Sequence, residues 1–343
     1  MPMFRVIGLE ENSLPSVARF GEPGHRRKIG YTYSVTTARP QTWTTRDLLA
    51  WMSKAFESAN LDSPRRMSEM LLAHVLGYDR LRLYMEIDRP ASPLERDTLR
   101  DLVRRALANE PIQYLVGEEV FFTMHFKVDP RVLIPRPSTL TIVEKVLQHA
   151  HNNPADYALR ESDAGTGIMI ADICTGSGCI AAALAKNLPG ARVIATDISE
   201  GALEIAKINI CAHKLEDRVE LIAGNLLDPI NNHPIAGNNA SLNYLCSNPP
   251  YIPDHEWDAI EPNVKDHEPI LALRAKDEGM EFVAPLIADG PRLLVQGGML
   301  LIEIASCTAE QCLELAKAHE LLECPRIAKD SDGLDRVLIA YRK

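Results

Sequence analysis

The sequence predicts an α/β protein, a parallel sheet covered by helices on both faces, preceded by a small all-helical domain. Two patterns and one quantity lead to this. Beyond residue 165, continuous apolar runs alternate with helical patterns, as expected for strands buried on both faces. Between Thr44 and Leu107 apolar residues recur at helical spacing only. The chain has 343 residues, 46% hydrophobic and 24% charged, which suits a globular protein of two compact domains.

Residues 1–40 scatter Pro, Gly and Arg without periodicity and read as a flexible leader. Residues 41–113 read as a helical bundle. Its first helix carries Leu48, Leu49, Met52, Phe56 and Ala59, with Thr44 or Thr45 as cap. A second starts at Ser63-Pro64, with proline at the first helical position, and runs to Gly77. A third begins at Ser92-Pro93 and carries Leu99, Leu102, Val103 and Leu107. Such a bundle serves either as support or for docking a substrate. Residues 114–137 form a linker, in which the aromatic and β-branched run 120–128 predicts one or two strands or a hairpin. Pro130, Pro135 and Pro137 stiffen the chain before a helix that opens near Ser138.

Residues 138–343 form the α/β domain. Strands are expected at Ile168–Cys174, Ala191–Thr196, Val219–Ala223, Asn243–Ser247, Met299–Ala305 and near Val337–Tyr341. Helices run through Ile180, Ala183 and Leu184 and, capped by Ser199, after the second strand.

The net charge of −10 is uneven. The first 40 residues carry six basic and three acidic side chains, and 41–113 carry eleven of each, so residues 114–343 hold −13. A domain that acidic is a poor generic ligand for a phosphate backbone, so no direct nucleic-acid partner is expected. No apolar run approaches the roughly 20 residues that span a bilayer, and no secretory signal opens the chain. A cytoplasmic protein with no membrane partner is the expectation. Seven cysteines without zinc-ligand spacing read as buried reduced thiols.

The chemistry concentrates at two strand ends. Asp172-Ile-Cys-Thr175-Gly176-Ser-Gly178-Cys-Ile lies where a strand passes into a helix, and its glycines permit a tight turn close to a ligand. Asp197 follows at the end of the next strand, where a carboxylate can accept from two ribose hydroxyls. The same glycines satisfy a dinucleotide pattern, so a nicotinamide oxidoreductase is a rival reading. Asn248-Pro249-Pro250-Tyr251 follows a later strand and points into the same crevice. An amide nitrogen is a poor nucleophile, because its lone pair is delocalised into the carbonyl. Acceptors for its N–H groups return electron density to it and aim it. The Asn248 side-chain oxygen and the Pro249 carbonyl can be those acceptors, with consecutive prolines fixing the backbone. Tyr251 would offer an aromatic face to a planar substrate.

The glycine turn preceded by Asp172 resembles the cofactor loop of class I (Rossmann-like) methyltransferases, and the tetrapeptide resembles that of members modifying amide or exocyclic amino nitrogens. Two further segments, Asn109-Glu110-Pro111-Ile-Gln-Tyr114-Leu-Val-Gly117 with Phe122 and Phe126, and Val132-Leu-Ile-Pro135-Arg136-Pro137, resemble the release-factor glutamine N5-methyltransferases. The resemblance runs from about residue 44 to residue 343. It implies a helical N-terminal domain, a class I domain with one antiparallel strand, and S-adenosyl-L-methionine as cofactor. The implied reaction is methylation of the glutamine of the Gly-Gly-Gln motif in peptide chain release factors.

Residue by residue, it implies that Asp172, Thr175, Gly176 and Gly178 line the cofactor loop, with Asp172 facing the cationic methionyl end. Asp197 would hold the ribose. Asn248, Pro249, Pro250 and Tyr251 would form the catalytic tetrapeptide, with Asn248, Pro249 and Tyr251 on the glutamine amide and Arg136 at the substrate mouth. Two departures stand out. Ser138-Thr139-Leu140 replaces an acidic–Thr–acidic run, so no acidic contact comes from that turn, although Glu144 follows. Gly224-Asn225 replaces an Asp near the adenine, which leaves Asn225 to bond the adenine amino group without charge. Methyl transfer from a sulfonium needs no metal, so His255, Glu256, His267 and Glu268 are expected to be solvated loop residues. A ribosomal-protein glutamine and a nucleic-acid adenine N6 are the alternative substrates.

Overall fold

The computed structural model describes residues 42–153, 167–234, 236–237 and 240–343; the leader expected over residues 1–40 lies outside them. Two compact units divide the chain, one ending at Leu107 and one from Ala108 to Lys343.

The first unit is helical, with α1 (Thr45–Ser58), α2 (Pro64–Leu76), α3 (Arg80–Met85) and α4 (Pro93–Leu107). A capping box starts α1: the Thr44 hydroxyl accepts from the Asp47 N–H while Asp47 accepts from the Thr44 N–H. Leu48, Met52 and Phe56 fall on one face of it and are buried. Pro64 opens α2, and Gly77, at φ 64°, closes it in the left-handed conformation. Ser92 and Glu95 cap α4 reciprocally. The short α3 was not expected, because six residues cannot display a helical period.

The second unit opens with a short helix (Ile112–Val116) and an antiparallel hairpin of β1 (Glu118–Phe121) and β2 (Met124–Lys127). Its seven-stranded sheet contains β3 (Met169–Ile173), β4 (Arg192–Asp197), β5 (Val219–Ala223), β6 (Leu242–Ser247), β7 (Leu294–Glu303), β8 (Leu322–Lys329) and β9 (Asp335–Arg342). Their order is β5-β4-β3-β6-β7-β9-β8. The first five pair in parallel, while β9 is antiparallel to both β7 and β8. This is the class I methyltransferase sheet with its one antiparallel strand. The antiparallel strand implied by the resemblance is β9; the residue pattern alone read simply as a parallel sheet, since a central strand buried on both faces reads the same in either direction.

Alternate residues of the strands feed two cores. On one face Ile170, Val193, Tyr244 and Leu301 pack under the helices Leu140–Asn152 and Cys179–Asn187. On the other, Ala171, Ile194, Leu245 and Ile302 pack under the helices Val283–Asp289 and Ala309–Ala318. No described helix is long and apolar enough to cross a membrane.

Candidate active site

The C-terminal ends of β3, β4 and β6 meet where the strand order reverses, the place where open α/β sheets bind ligands. A cleft of about 1010 Å³, counting the part open to solvent, lies there. Among its walls are Thr175, Gly176, Asp197, Asn225, Asn248 and Pro250.

The chain leaves β3 by a sharp turn. Cys174, Gly176 and Gly178 all have positive φ (60°, 55° and 79°), and the Thr175 N–H is tied to the Thr196 carbonyl at 2.9 Å. A Cβ on Gly176 would meet nothing within 4 Å, so its backbone is open to a ligand. A Cβ on Gly178 would sit 3.2 Å from the Ala206 Cβ, so Gly178 does not line the cleft but lets two helices approach. Asn209, buried beneath the turn, donates to the carbonyls of Ser177 (2.8 Å) and Lys127 (3.0 Å) and so joins the turn to β2.

Asp172 lies behind the turn, fully buried, and does not face the cleft as the sequence suggested. Its Oδ2 accepts from the Thr175 hydroxyl (2.6 Å) and the Ala181 N–H (3.1 Å), while Oδ1 has no hydrogen-bond partner. Burial pushes its carboxyl up to about 7 against those bonds, with the nearby Asp197 charge adding to the rise. Asp197 accepts from the Gly176 N–H at 2.9 Å on one oxygen and the Ser199 N–H at 2.9 Å on the other. Each oxygen keeps a lone pair for a ligand. Burial raises its carboxyl also, and the backbone bonds of Ser199 and Gly176 oppose this. Asn225 reaches the cleft from the turn after β5, where a Cβ on Gly224 would lie 2.4 Å from the Pro229 ring.

Of the tetrapeptide, Asn248 and Pro250 are among the cleft walls. The Asn248 Nδ2 donates to the Thr139 hydroxyl at 3.1 Å, which leaves Oδ1 as the acceptor end. The Tyr251 hydroxyl donates to Glu303 Oε1 at 3.0 Å. That tether fixes the position of the Tyr251 ring, and Phe282 is the aromatic residue among the cleft walls. Burial pushes the Tyr251 phenol well above its ordinary range, and the Glu303 charge adds to this.

Glu303, at the end of β7, escaped the sequence reading. It is fully buried and also accepts from the Ser138 hydroxyl at 3.0 Å. Burial raises its carboxyl, opposed by the hydroxyls of Thr139, Tyr251 and Ser138. The turn lacking its own acid thus presents hydroxyls to an acid from the sheet, and Glu144 is solvent-exposed. One signal was available: a lone carboxylate ending the run Met-Leu-Leu-Ile-Glu.

Arg136 is paired with Glu268, which also accepts from the Ile134 N–H at 3.1 Å. Glu268 is therefore a buried clip, correcting its expected place among solvated loop residues. His255 is exposed and paired with Glu278 at 2.9 Å. Cys179, Cys246 and Cys312 are buried as expected, and Cys174 half-buried, but Cys211, Cys307 and Cys324 are exposed.

Two family models match the chain, the PrmC N-terminal domain over residues 47–117 and the methyltransferase small domain over 158–265. A release factor glutamine methyltransferase of Chlorobaculum tepidum is 37% identical over 87% of this chain and 97% of its own length. Proteins of the same description from Geobacter sulfurreducens (35% identical) and Rhodopirellula baltica (36%) each cover 88% of this chain, and 98% and 97% of their own lengths.

Proposed function

The chain belongs to the family of release factor glutamine methyltransferases, and on that premise we propose that it methylates the side-chain N5 of the Gly-Gly-Gln glutamine in peptide chain release factors. S-adenosyl-L-methionine is the methyl donor. The observation that carries the reading is the orientation of Asn248, whose nitrogen is spent on Thr139 so that its oxygen is the end left to accept.

The cleft fits the donor. Gly176 offers open backbone, Asp197 keeps lone pairs at the end of β4 for a diol, and the exposed Ile198 beside it offers an apolar surface for a purine. Asn225, in the cleft wall, would meet the purine edge, and the turn from Cys174 to Ser177 would run past the amino-acid end. Bound there, S-adenosyl-L-methionine supplies an electrophilic methyl on a sulfonium, and no metal is needed for that chemistry.

The chain's own task is to hold an –NH2 group. Asn248 Oδ1 and the Pro249 carbonyl accept its two N–H bonds, which returns density to nitrogen and fixes the direction of its lone pair. Two buried prolines hold that carbonyl in place. This is catalysis by positioning and electrostatics, without a covalent intermediate. Arg136, held by Glu268, belongs to the rim over which the substrate glutamine enters. The helical unit that ends at Leu107 serves to dock the release factor, in the cytoplasm where release factors act.

The test is mass spectrometry of a purified release factor after incubation with labelled donor. The expected result is one added methyl on the Gly-Gly-Gln glutamine, a fall of roughly 100-fold in rate for Asn248→Ala, and little change in donor affinity. Methylation of a ribosomal protein or of adenine in preference to the release factor would replace this reading.

A further inference from the structure

The catalytic asparagine needs its oxygen, and not its nitrogen, turned to the substrate. An Asn amide is nearly symmetric in shape, so its own packing does little to choose between the two orientations; its neighbours must do so. Here the choice traces back to one carboxylate. Asn248 Nδ2 donates to Thr139 Oγ1, and Thr139 is 2% exposed, so its hydroxyl proton has few places to go. Glu303, fully buried, stands beside that hydroxyl and already accepts from Ser138 and Tyr251 on Oε1. Its Oε2 makes no hydrogen bond of ordinary geometry, a cost that a buried carboxylate bears only where something offsets it.

We infer that Glu303 is the positioning residue of this active site: as an acceptor-only group it draws the Thr139 proton toward itself, which turns the Thr139 lone pairs to the Asn248 amide nitrogen and the Asn248 oxygen to the substrate. The same carboxylate holds the Tyr251 hydroxyl, and therefore fixes both ends of the tetrapeptide. The inference rests on the reading of Asn248 as the amide acceptor. It follows that the polarity of the chain, and not the shape of residue 303, is what matters. Glutamine has the same size but brings an –NH2. Turned toward Thr139, that group donates to Oγ1, the Thr139 proton then seeks Asn248, and the Asn248 amide rotates to present nitrogen where oxygen is needed.

The experiment uses the full chain with purified release factor and S-adenosyl-L-methionine. Glu303→Gln is expected to lower kcat roughly 100-fold, the scale set by loss of one preorganised hydrogen-bonding group, with KM for the donor little changed. Thr139→Val should lose a similar factor, Thr139→Ser should recover most of it, and the double variant Glu303→Gln/Thr139→Val should be no slower than either single one. A neutron structure of Glu303→Gln gives an arm independent of turnover, with the Asn248 amide rotated relative to the parent protein. An unrotated amide, a kcat within threefold of the parent, or additive losses in the double variant would each overturn the inference. Failure of the parent protein to methylate any release factor would instead strike the proposed function, and the amide orientation would still decide this point.

Discussion

At the scale of single residues, the site is organised by buried carboxyls, in which burial and hydrogen bonds to the anion oppose each other. Asp172 is the clearest, its carboxyl raised from the ordinary 3.8 to about 7. In that window the folded chain holds a proton that the unfolded chain has released. The native state binds more protons, so stability falls as pH rises through it. The slope from this one group is at most about 1.4 kcal/mol per pH unit. Asp172→Asn, nearly isosteric and unable to ionise, should flatten the stability profile between pH 4 and 7, as read by denaturant unfolding at a series of pH values; an unchanged profile would show that Asp172 is ionised throughout. Asp172, Asp197 and Asn248 were legible in the sequence because they flank glycines and prolines that mark strand ends. Their directions were not. Asp172 turned inward and the Tyr251 hydroxyl went to Glu303, since contacts between residues 52 apart leave no local pattern. Glu268 and Glu303 were missed for the same reason: each meets partners more than 130 positions earlier, at Arg136 and at Ser138.

At the scale of elements, legibility followed length and burial. The strands β3 to β7 and β9 were visible as apolar runs, and β5 was delimited to the residue. The edge strand β8 escaped because most of its side chains reach solvent and Pro325 interrupts it. The hairpin was among the readings of 120–128, but its turn could not be placed, since Phe122 and Thr123 adopt positive φ (47° and 64°) without the Asn or Gly that normally signals such a turn. The glycine turn makes a sharper test of elements packing together. Gly176 and Gly178 both have positive φ, but only Gly178 has a neighbour, Ala206 on the helix Glu200–Ala212, within reach of a Cβ. Gly176→Ala should cost only the left-handed conformation, about 1–2 kcal/mol. Gly178→Ala should cost more, because the helix must also retreat, and should lower the melting temperature further; equal melting temperatures would mean that the helix contact is soft.

At the scale of the whole molecule, each unit has its own buried core, with Leu48, Met52, Phe56, Leu71 and Leu99 in the first and the two sheet faces in the second. The cleft is lined wholly by residues of the second unit. A fragment of residues 108–343 should therefore bind S-adenosyl-L-methionine with near-parental affinity by calorimetry. Its KM for an intact release factor should rise at least tenfold, or about 1.4 kcal/mol of lost binding, with a Gly-Gly-Gln peptide unaffected; an unchanged KM for the intact factor would assign the helical unit to support alone. The division into a helical part and an α/β part was readable because the hydrophobic period changes between them. The placement of β9 was not, and it has a consequence for biosynthesis. β8 emerges from the ribosome before β9, yet its only sheet neighbour among the described strands is β9, which slots between β8 and β7. Until those residues are translated, the nascent domain carries an open apolar edge at β7 and a stray ribbon beside it. It is during this interval that a chaperone has most to shield.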